Sequence, residues 1–293
     1  MDVIAIFGPT GVGKTAVAVA LADRLRARGE DPVAVSADAL QVYAGLEVLT
    51  GVAPTAQQAR LEHRLVAFLP VTETFTAGRY ARRAHAEIDE LLVEGRRPIV
   101  VGGTGLYLRA ALAQLDLRPP VDREAQTRLE ARPAADLHAE LAARAPHLAA
   151  RLDPADPRRL ARSLALLAQG VEYPPAHDEL WTAQTRHPTR LVALTMEREA
   201  LDAAIDARVD AMIAVGAVEE VRRADAAGAS PTARQALGFA QLLAGDAEAM
   251  KRRTRRYARR QLTWLRKLAG AELHDVTGRS PEDVAAAIDS PRP

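Results

Sequence analysis

Residues 8–15 read Gly8-Pro9-Thr10-Gly11-Val12-Gly13-Lys14-Thr15, a G-x-x-x-x-G-K-T string. It follows the apolar run Val3–Phe7 and leads into a helical stretch, Ala16–Arg28. That strand–loop–helix setting gives the motif its chemical meaning. Glycines in the loop admit backbone geometries that other residues resist. Successive N–H groups can then turn inward and cradle phosphate oxygens. Lys14 adds a point charge, and Thr15 offers a hydroxyl to a magnesium ion that accompanies the phosphates. The helix that follows adds the positive end of its dipole. A phosphorylated ligand with Mg2+ is the chemistry this spacing predicts.

Two other apolar runs end in polar residues. Pro32–Ser36 is followed by Ala37-Asp38, and Pro98–Val101 by Gly102-Gly103-Thr104-Gly105. In an open parallel sheet, ligands bind beyond the carboxyl ends of the strands, so Asp38 and Thr104 face the same crevice as Lys14 and Thr15. Asp38 can hold magnesium or take a proton from a nucleophile; it can equally close an Asx-turn after its strand. Thr104 can hydrogen-bond a substrate or cap the helix that follows it.

The elements that position these residues alternate between strand and helix through the N-terminal part, which predicts a parallel sheet flanked by helices. The expected helix Ala77–Glu94 opens at Thr76 and stops at Gly95. Another covers Leu106–Ala113. Between Arg118 and about Pro188 no strand is legible. This Ala/Arg/Leu-rich stretch, broken by Pro133, Pro146, Pro154, Pro157 and Pro174-Pro175, reads as a helical insertion. Strand character returns at Thr189–Thr195, followed by helices over Arg198–Val215, Ala217–Ala227, Met250–Leu268 and a short one in 281–293. The expected organisation is a P-loop NTPase-like α/β core with a helical insertion domain. Its first part is 1–115, the insertion is 116–188, and 189–293 completes the core and adds C-terminal helices.

Residues 251–267 contain no acid. At helical spacing Tyr257, Gln261, Trp264, Leu265 and Leu268 make a packing face. Arg252, Arg253, Arg256, Arg259, Arg260 and Lys267 cover much of the remainder. The stretch is either a solvated face balanced by acids elsewhere or a track for nucleic-acid phosphates, and the run of seventeen positions without an acid favours the track.

The chain has 293 residues, room for a real core, and a net charge of +1, so the molecule as a whole does not advertise a polyanion partner. There is no cysteine, which excludes disulfides and thiolate metal sites. None of the seven histidines stands in a metal-binding spacing. No signal peptide or membrane-spanning stretch is legible.

Several strings coincide with one family. They are Gly8–Thr15; Ser36-Ala37-Asp38 with Gln41-Val42-Tyr43 and Gly45-Leu46; Val101-Gly102-Gly103-Thr104-Gly105-Leu106-Tyr107; Asp156-Pro157-Arg158-Arg159-Leu160; Gln235-Ala236-Leu237-Gly238-Phe239; and Thr254–Arg266. In these the chain resembles the tRNA dimethylallyltransferases, in the family's order and across nearly the whole length. The phosphate loop alone is generic among nucleotide- and ATP-binding proteins; V-G-G-T-G-L-Y and R-R-Q-L-T-W-L-R are far more specific.

The resemblance implies transfer of the dimethylallyl group from dimethylallyl diphosphate to the exocyclic amine of the adenosine 3′ of the anticodon. It implies that Gly8, Pro9, Thr10, Gly11, Val12, Gly13 and Lys14 hold the diphosphate and Thr15 the magnesium. Asp38 would be the general base, Thr104 a contact near the reacting atoms, and Arg208 part of the diphosphate clamp. Contacts with the anticodon stem-loop would come from Asp38, Ala39, Leu40, Gln41, Gln126, Arg158, Arg159, Arg255, Arg256 and Arg259. A cytoplasmic monomer is expected, with no membrane partner. The sequence departs from the family at Ala39-Leu40, at Glu47–Pro54, at Gln126 where an arginine is usual, and at Ala165. Two other readings share the phosphate loop: an adenylate isopentenyltransferase acting on a free nucleotide, and a small-molecule kinase. A nucleotide-dependent RNA binder without catalysis is a third.

Overall fold

The structure is a computed structural model and describes residues 2–175, 180 and 182–290. Its strands are β1 (Val3–Phe7), β2 (Pro32–Ser36), β3 (Tyr43–Ala44), β4 (Glu62–Arg64), β5 (Leu69–Pro70), β6 (Arg97–Gly102), β7 (Thr189–Thr195) and β8 (Glu272–Asp275). Six of them form one sheet in the order β4-β2-β6-β1-β7-β8, and every neighbouring pair is parallel. β3 and β5 pair separately.

All residues of β1 and β2 are buried. Unbroken apolar runs of this kind are what a parallel strand covered on both faces requires. Three of the four expected strands lie side by side at β2, β6 and β1, so their carboxyl ends bring the phosphate loop, Asp38 and Thr104 to one edge, and the fourth is β7, on the other side of β1. The edge strands β4 and β8 escape a reading by hydrophobic pattern because they are short and mostly polar, Glu-His-Arg and Glu-Leu-His-Asp.

Helix Lys14–Ala27 begins directly after Gly13 and buries Val17, Leu21 and Leu25 against the sheet. Val284, Ala285 and Ile288 of the terminal helix Pro281–Asp289 join the same core, and Arg24 pairs with Asp289 at 3.1 Å. Residues 291–293 of the expected terminal helix lie outside the described residues. Helix Ala77–Val93 is capped by the Thr76 hydroxyl, which accepts from the Arg79 N–H at 3.2 Å. Gly95, at φ 73°, lies just past its end. Tyr80 of this helix stacks on Tyr107 of helix Gly105–Leu112, with ring centroids 4.6 Å apart.

The chain forms two compact units, Met1–Gln114 with Ala183–Pro293, and Leu115–Thr182. Residues 183–188 lie with the sheet-bearing unit because hydrogen bonds tie them there. Arg109 donates to the Gln184 carbonyl, the Arg186 N–H to Leu112, and the Val3 N–H to Pro188. Within the smaller unit, helices Arg123–Glu130, Ala134–Arg144, Pro146–Ala149 and Pro157–Leu167 enclose Leu137, Leu141, Leu148, Leu160 and Leu164. Of the prolines that break the sequence pattern, Pro133, Pro146 and Pro157 sit at helix starts, whereas Pro154 lies in a turn and Pro174-Pro175 follow the last of these helices. Asp156 caps the last helix by accepting the Arg159 N–H, with Pro157 as its first residue.

Candidate active site

The phosphate loop has the backbone that its sequence demands. Gly11 and Gly13 hold φ of 86° and 91°, in the left-handed region. An added Cβ at Gly11 would approach Ile205 to 2.8 Å, so this glycine also makes room for helix Arg198–Ala214. Lys14 Nζ donates to the carbonyls of Gly8 at 3.0 Å and Pro9 at 2.9 Å, which holds the ammonium inside the loop. The residue keeps some exposed surface, but its charged head lies deep. Burial lowers its pKa to about 7; the neighbouring Arg208 charge adds to the fall and the Asp38 carboxylate opposes it.

That electrostatic coupling places Lys14, Asp38 and Arg208 around one crevice, although they come from the phosphate loop, the turn after β2 and the helix after β7. Burial lowers the Arg208 pKa, and Asp38 works against that change. Arg208 reaches the crevice past Gly51, where an added Cβ would come within 1.8 Å of Arg208 Nη2. The segment carrying Gly51 is strutted by Gln41, whose amide donates to Thr50 O at 3.3 Å and Gly51 O at 3.0 Å and accepts from Ser36 Oγ at 2.8 Å. Glu220 supports it further by accepting from the N–H groups of Val48 and Leu49.

Asp38 makes the Asx-turn and still faces the crevice. Its Oδ1 accepts the Leu40 N–H at 2.9 Å, and Oδ2 makes no hydrogen bond among the described residues. Thr104 precedes helix Gly105–Leu112, but its side chain does not cap it. The hydroxyl instead meets Tyr257 Oη at 3.2 Å. Burial, with help from Asp38, pushes the Tyr257 pKa up to about 12, so the phenol stays neutral. The site therefore joins a phosphate cradle, two cations, a carboxylate with a free oxygen and a hydroxyl pair. This set can hold a diphosphate and take a proton from a nucleophile delivered beside it.

A family model described as IPP transferase matches residues 41–268. The chain belongs to this family. It is 42% identical over 285 residues to a tRNA dimethylallyltransferase of Anaeromyxobacter dehalogenans, covering 92% of this chain and 93% of the relative. It is 39% identical over 280 residues to a tRNA dimethylallyltransferase of Thermobifida fusca, covering 90% and 87%. Among solved structures it is similar to the full-length tRNA isopentenylpyrophosphate transferase of Bacillus halodurans, with 30% identity and TM-score 0.71, covering 98% of this chain and 94% of that one.

As a member of the IPP transferase family, the chain distributes its remaining motif residues unevenly. Arg255 and Arg259 pair with Asp206 and Asp202, and Lys251 pairs with Asp210. The three acids stand four residues apart on helix Arg198–Ala214 and the three bases four apart on helix Ala247–Leu265, so two antiparallel helices zip together. The sequence favours a phosphate track, but these three bases are balanced by acids elsewhere in the chain, whereas Arg256 and Arg260 are exposed. Arg158 and Arg159 are exposed on the smaller unit, where Arg159 lies over Tyr173. Gln126 donates to Glu130 at 2.6 Å. Ala39 and Leu40 are half-buried in the Asp38 turn, and the Gln41 amide is occupied by the loop it supports. The Tyr257 hydroxyl and the strut made by Gln41 were not legible beforehand, because both depend on residues far away in sequence.

Proposed function

We propose that this chain transfers the dimethylallyl group of dimethylallyl diphosphate to the exocyclic amine of the adenosine 3′ of the anticodon in tRNA. The meeting of Lys14, Arg208 and Asp38 beside the phosphate loop carries this reading. Breaking the allylic carbon–oxygen bond builds negative charge on the departing diphosphate. The loop N–H groups, Lys14 and Arg208 are fixed in advance where that charge develops. The new bond forms between the amine nitrogen and the allylic carbon, and Asp38 Oδ2 receives the amine proton. The adenine must leave its stack to reach the crevice.

Among the described residues no cluster of three or more His, Asp or Glu could hold a metal by itself. Magnesium would therefore come with the diphosphate and be held there by the Thr15 hydroxyl, where it would neutralise phosphate oxygens. Arg158, Arg159 and Arg256 offer phosphate contacts to the RNA, which would be gripped by shape and backbone. No described helix is long and apolar enough to cross a membrane; a cytoplasmic monomer acting on tRNA is the setting this reading implies.

The test is incubation with labelled dimethylallyl diphosphate, magnesium and either bulk tRNA or AMP, followed by identification of the labelled nucleoside. Label in tRNA as N6-isopentenyladenosine is expected. Equal labelling of AMP would favour the free-nucleotide reading, and phosphate transfer from ATP would favour a kinase. The Gly51 geometry gives a second expectation. Gly51→Ala sets a methyl against Arg208 and should raise KM for the diphosphate donor about tenfold through misplacement of the clamp. Steady-state kinetics beside a thermal melt would check this, and an unchanged KM would mean that Arg208 does not grip the donor.

A further inference from the structure

Helix Ala247–Leu265 buries two polar side chains: Thr254, which bonds back to Met250 of its own helix, and Gln261, which reaches out of the helix to two loops. Gln261 is 3% exposed. Its Oε1 accepts the Thr10 N–H at 2.8 Å, and its Nε2 donates to the Gly103 carbonyl at 2.7 Å. Both partners are backbone groups with a single possible role, donor for one and acceptor for the other, so the orientation of the amide is fixed. The two partners lie on the two loops that form the crevice: Thr10 is inside the phosphate loop, and Gly103 immediately precedes Thr104.

Gly103 has no room for a side chain beside this amide. A Cβ at Gly103 would lie 2.3 Å from Gln261 Nε2, 3.0 Å from the Gly8 carbonyl and 3.3 Å from Lys14 Nζ. The Gly103 turn therefore rests directly on the phosphate loop, and Gln261 bonds to both at their contact. One turn earlier on the same helix, Tyr257 meets the Thr104 hydroxyl. The Gln261 amide also spends the Thr10 N–H on the protein, as the Pro9 carbonyl spends that of Val12.

We propose that Gln261 is a positioning residue for prenyl transfer, an amide clasp that fixes the spacing between the diphosphate cradle and the Thr104 turn. This rests on the function proposed above. The reaction needs the diphosphate, its allylic carbon and the Thr104 end of the crevice in one register. Misplacement by about 1 Å can cost on the order of a hundredfold in rate. The clasp acts on register rather than on grip, because in this reading the diphosphate is held by Lys14, Arg208 and the loop amides and not by Gln261 itself.

Two substitutions separate the clasp from plain packing. Gln261→Leu keeps the bulk and removes both hydrogen bonds; Gln261→Met serves should the leucine variant not fold. Gln261→Glu still accepts from Thr10 but, when ionised, sets a carboxylate against the Gly103 carbonyl. Protonation restores the donor, and burial brings that protonation to higher pH than usual for a carboxyl. With tRNA and dimethylallyl diphosphate, Gln261→Leu should lose kcat by about ten- to a hundredfold with donor KM within about threefold. The kcat of Gln261→Glu relative to wild type should rise about fivefold or more from pH 8 to pH 6, while that of Gln261→Leu stays flat. Independently of turnover, amide exchange at Thr10 should be at least about tenfold faster in Gln261→Leu.

A leucine variant with kcat within twofold of wild type, or with Thr10 exchange unchanged, would overturn the proposal. So would a glutamate variant whose relative rate does not depend on pH. An inert wild-type protein would count against the proposed function instead, and Thr10 exchange would still decide whether Gln261 holds the loop.

Discussion

Asp38→Asn is expected to slow prenyl transfer by about a hundred- to ten-thousandfold, the range for loss of a general base, with tRNA affinity nearly unchanged. Asparagine is the informative replacement because its side-chain oxygen can still accept the Leu40 N–H, so the turn after β2 survives. What disappears is the free carboxylate oxygen that receives the amine proton. The substitution also removes the negative charge that opposes Lys14 and Arg208. The crevice becomes more positive, so diphosphate binding should not weaken. Single-turnover rates on an anticodon stem-loop, together with RNA-binding isotherms, separate the two effects. A rate close to that of the wild type would remove Asp38 from the chemistry. A matched loss of RNA affinity would make it a binding residue.

Lys14→Met should lower kcat/KM for the diphosphate donor by about a hundred- to a thousandfold, the scale for removing one preorganised charge stabiliser. The wild-type protein should show a pH signature that the variant lacks. Its Lys14 pKa, at about 7 without ligand, means that half of the molecules carry the ammonium at that pH. A diphosphate favours the ammonium, so binding above pH 7 must take up a proton, and affinity falls as pH rises. Calorimetric titration with inorganic pyrophosphate in buffers of different ionisation enthalpy measures this uptake. Proton uptake that persists in Lys14→Met would assign it to another group.

The same residue has a stability consequence of defined sign. Lys14 titrates near 7 in the folded protein and near its ordinary 10.5 when unfolded. Between those values the unfolded chain binds more protons. Stability of the ligand-free protein attributable to this group therefore rises with pH across that window.

How much of the site can be read from the chain depends on how local each relation is. The phosphate loop is contiguous, and its glycine spacing, lysine and following helix fix one backbone path. Asp38 and Thr104 are each one short turn beyond an apolar strand, so a parallel sheet alone takes both to the crevice. The roles of these two residues were open, and three-dimensional contacts narrowed them. Asp38 closes an Asx-turn with one oxygen and keeps the other for the crevice. Thr104 turns to Tyr257 and leaves its helix uncapped by a side chain. The arginine-rich helix shows the opposite limit. Its acid-free run looks like an open phosphate track, yet Arg255 and Arg259 find their acids on a helix about fifty residues earlier in the chain.

The sequence by itself determined the strand–loop–helix phosphate cradle, the parallel order of covered apolar strands and the presence of a helical insertion. Each follows from local backbone preference or from hydrophobic periodicity, which act over a few residues to a few turns. Only the tertiary structure decided which polar groups meet. Arg208 reaches the crevice past Gly51, Gln41 braces the segment that admits it, and Gln261 joins Thr10 to Gly103. The Gln41 and Gln261 bonds arise because a buried polar atom must find a complementary partner at hydrogen-bond distance, and the partner is supplied by packing rather than by neighbours in the chain.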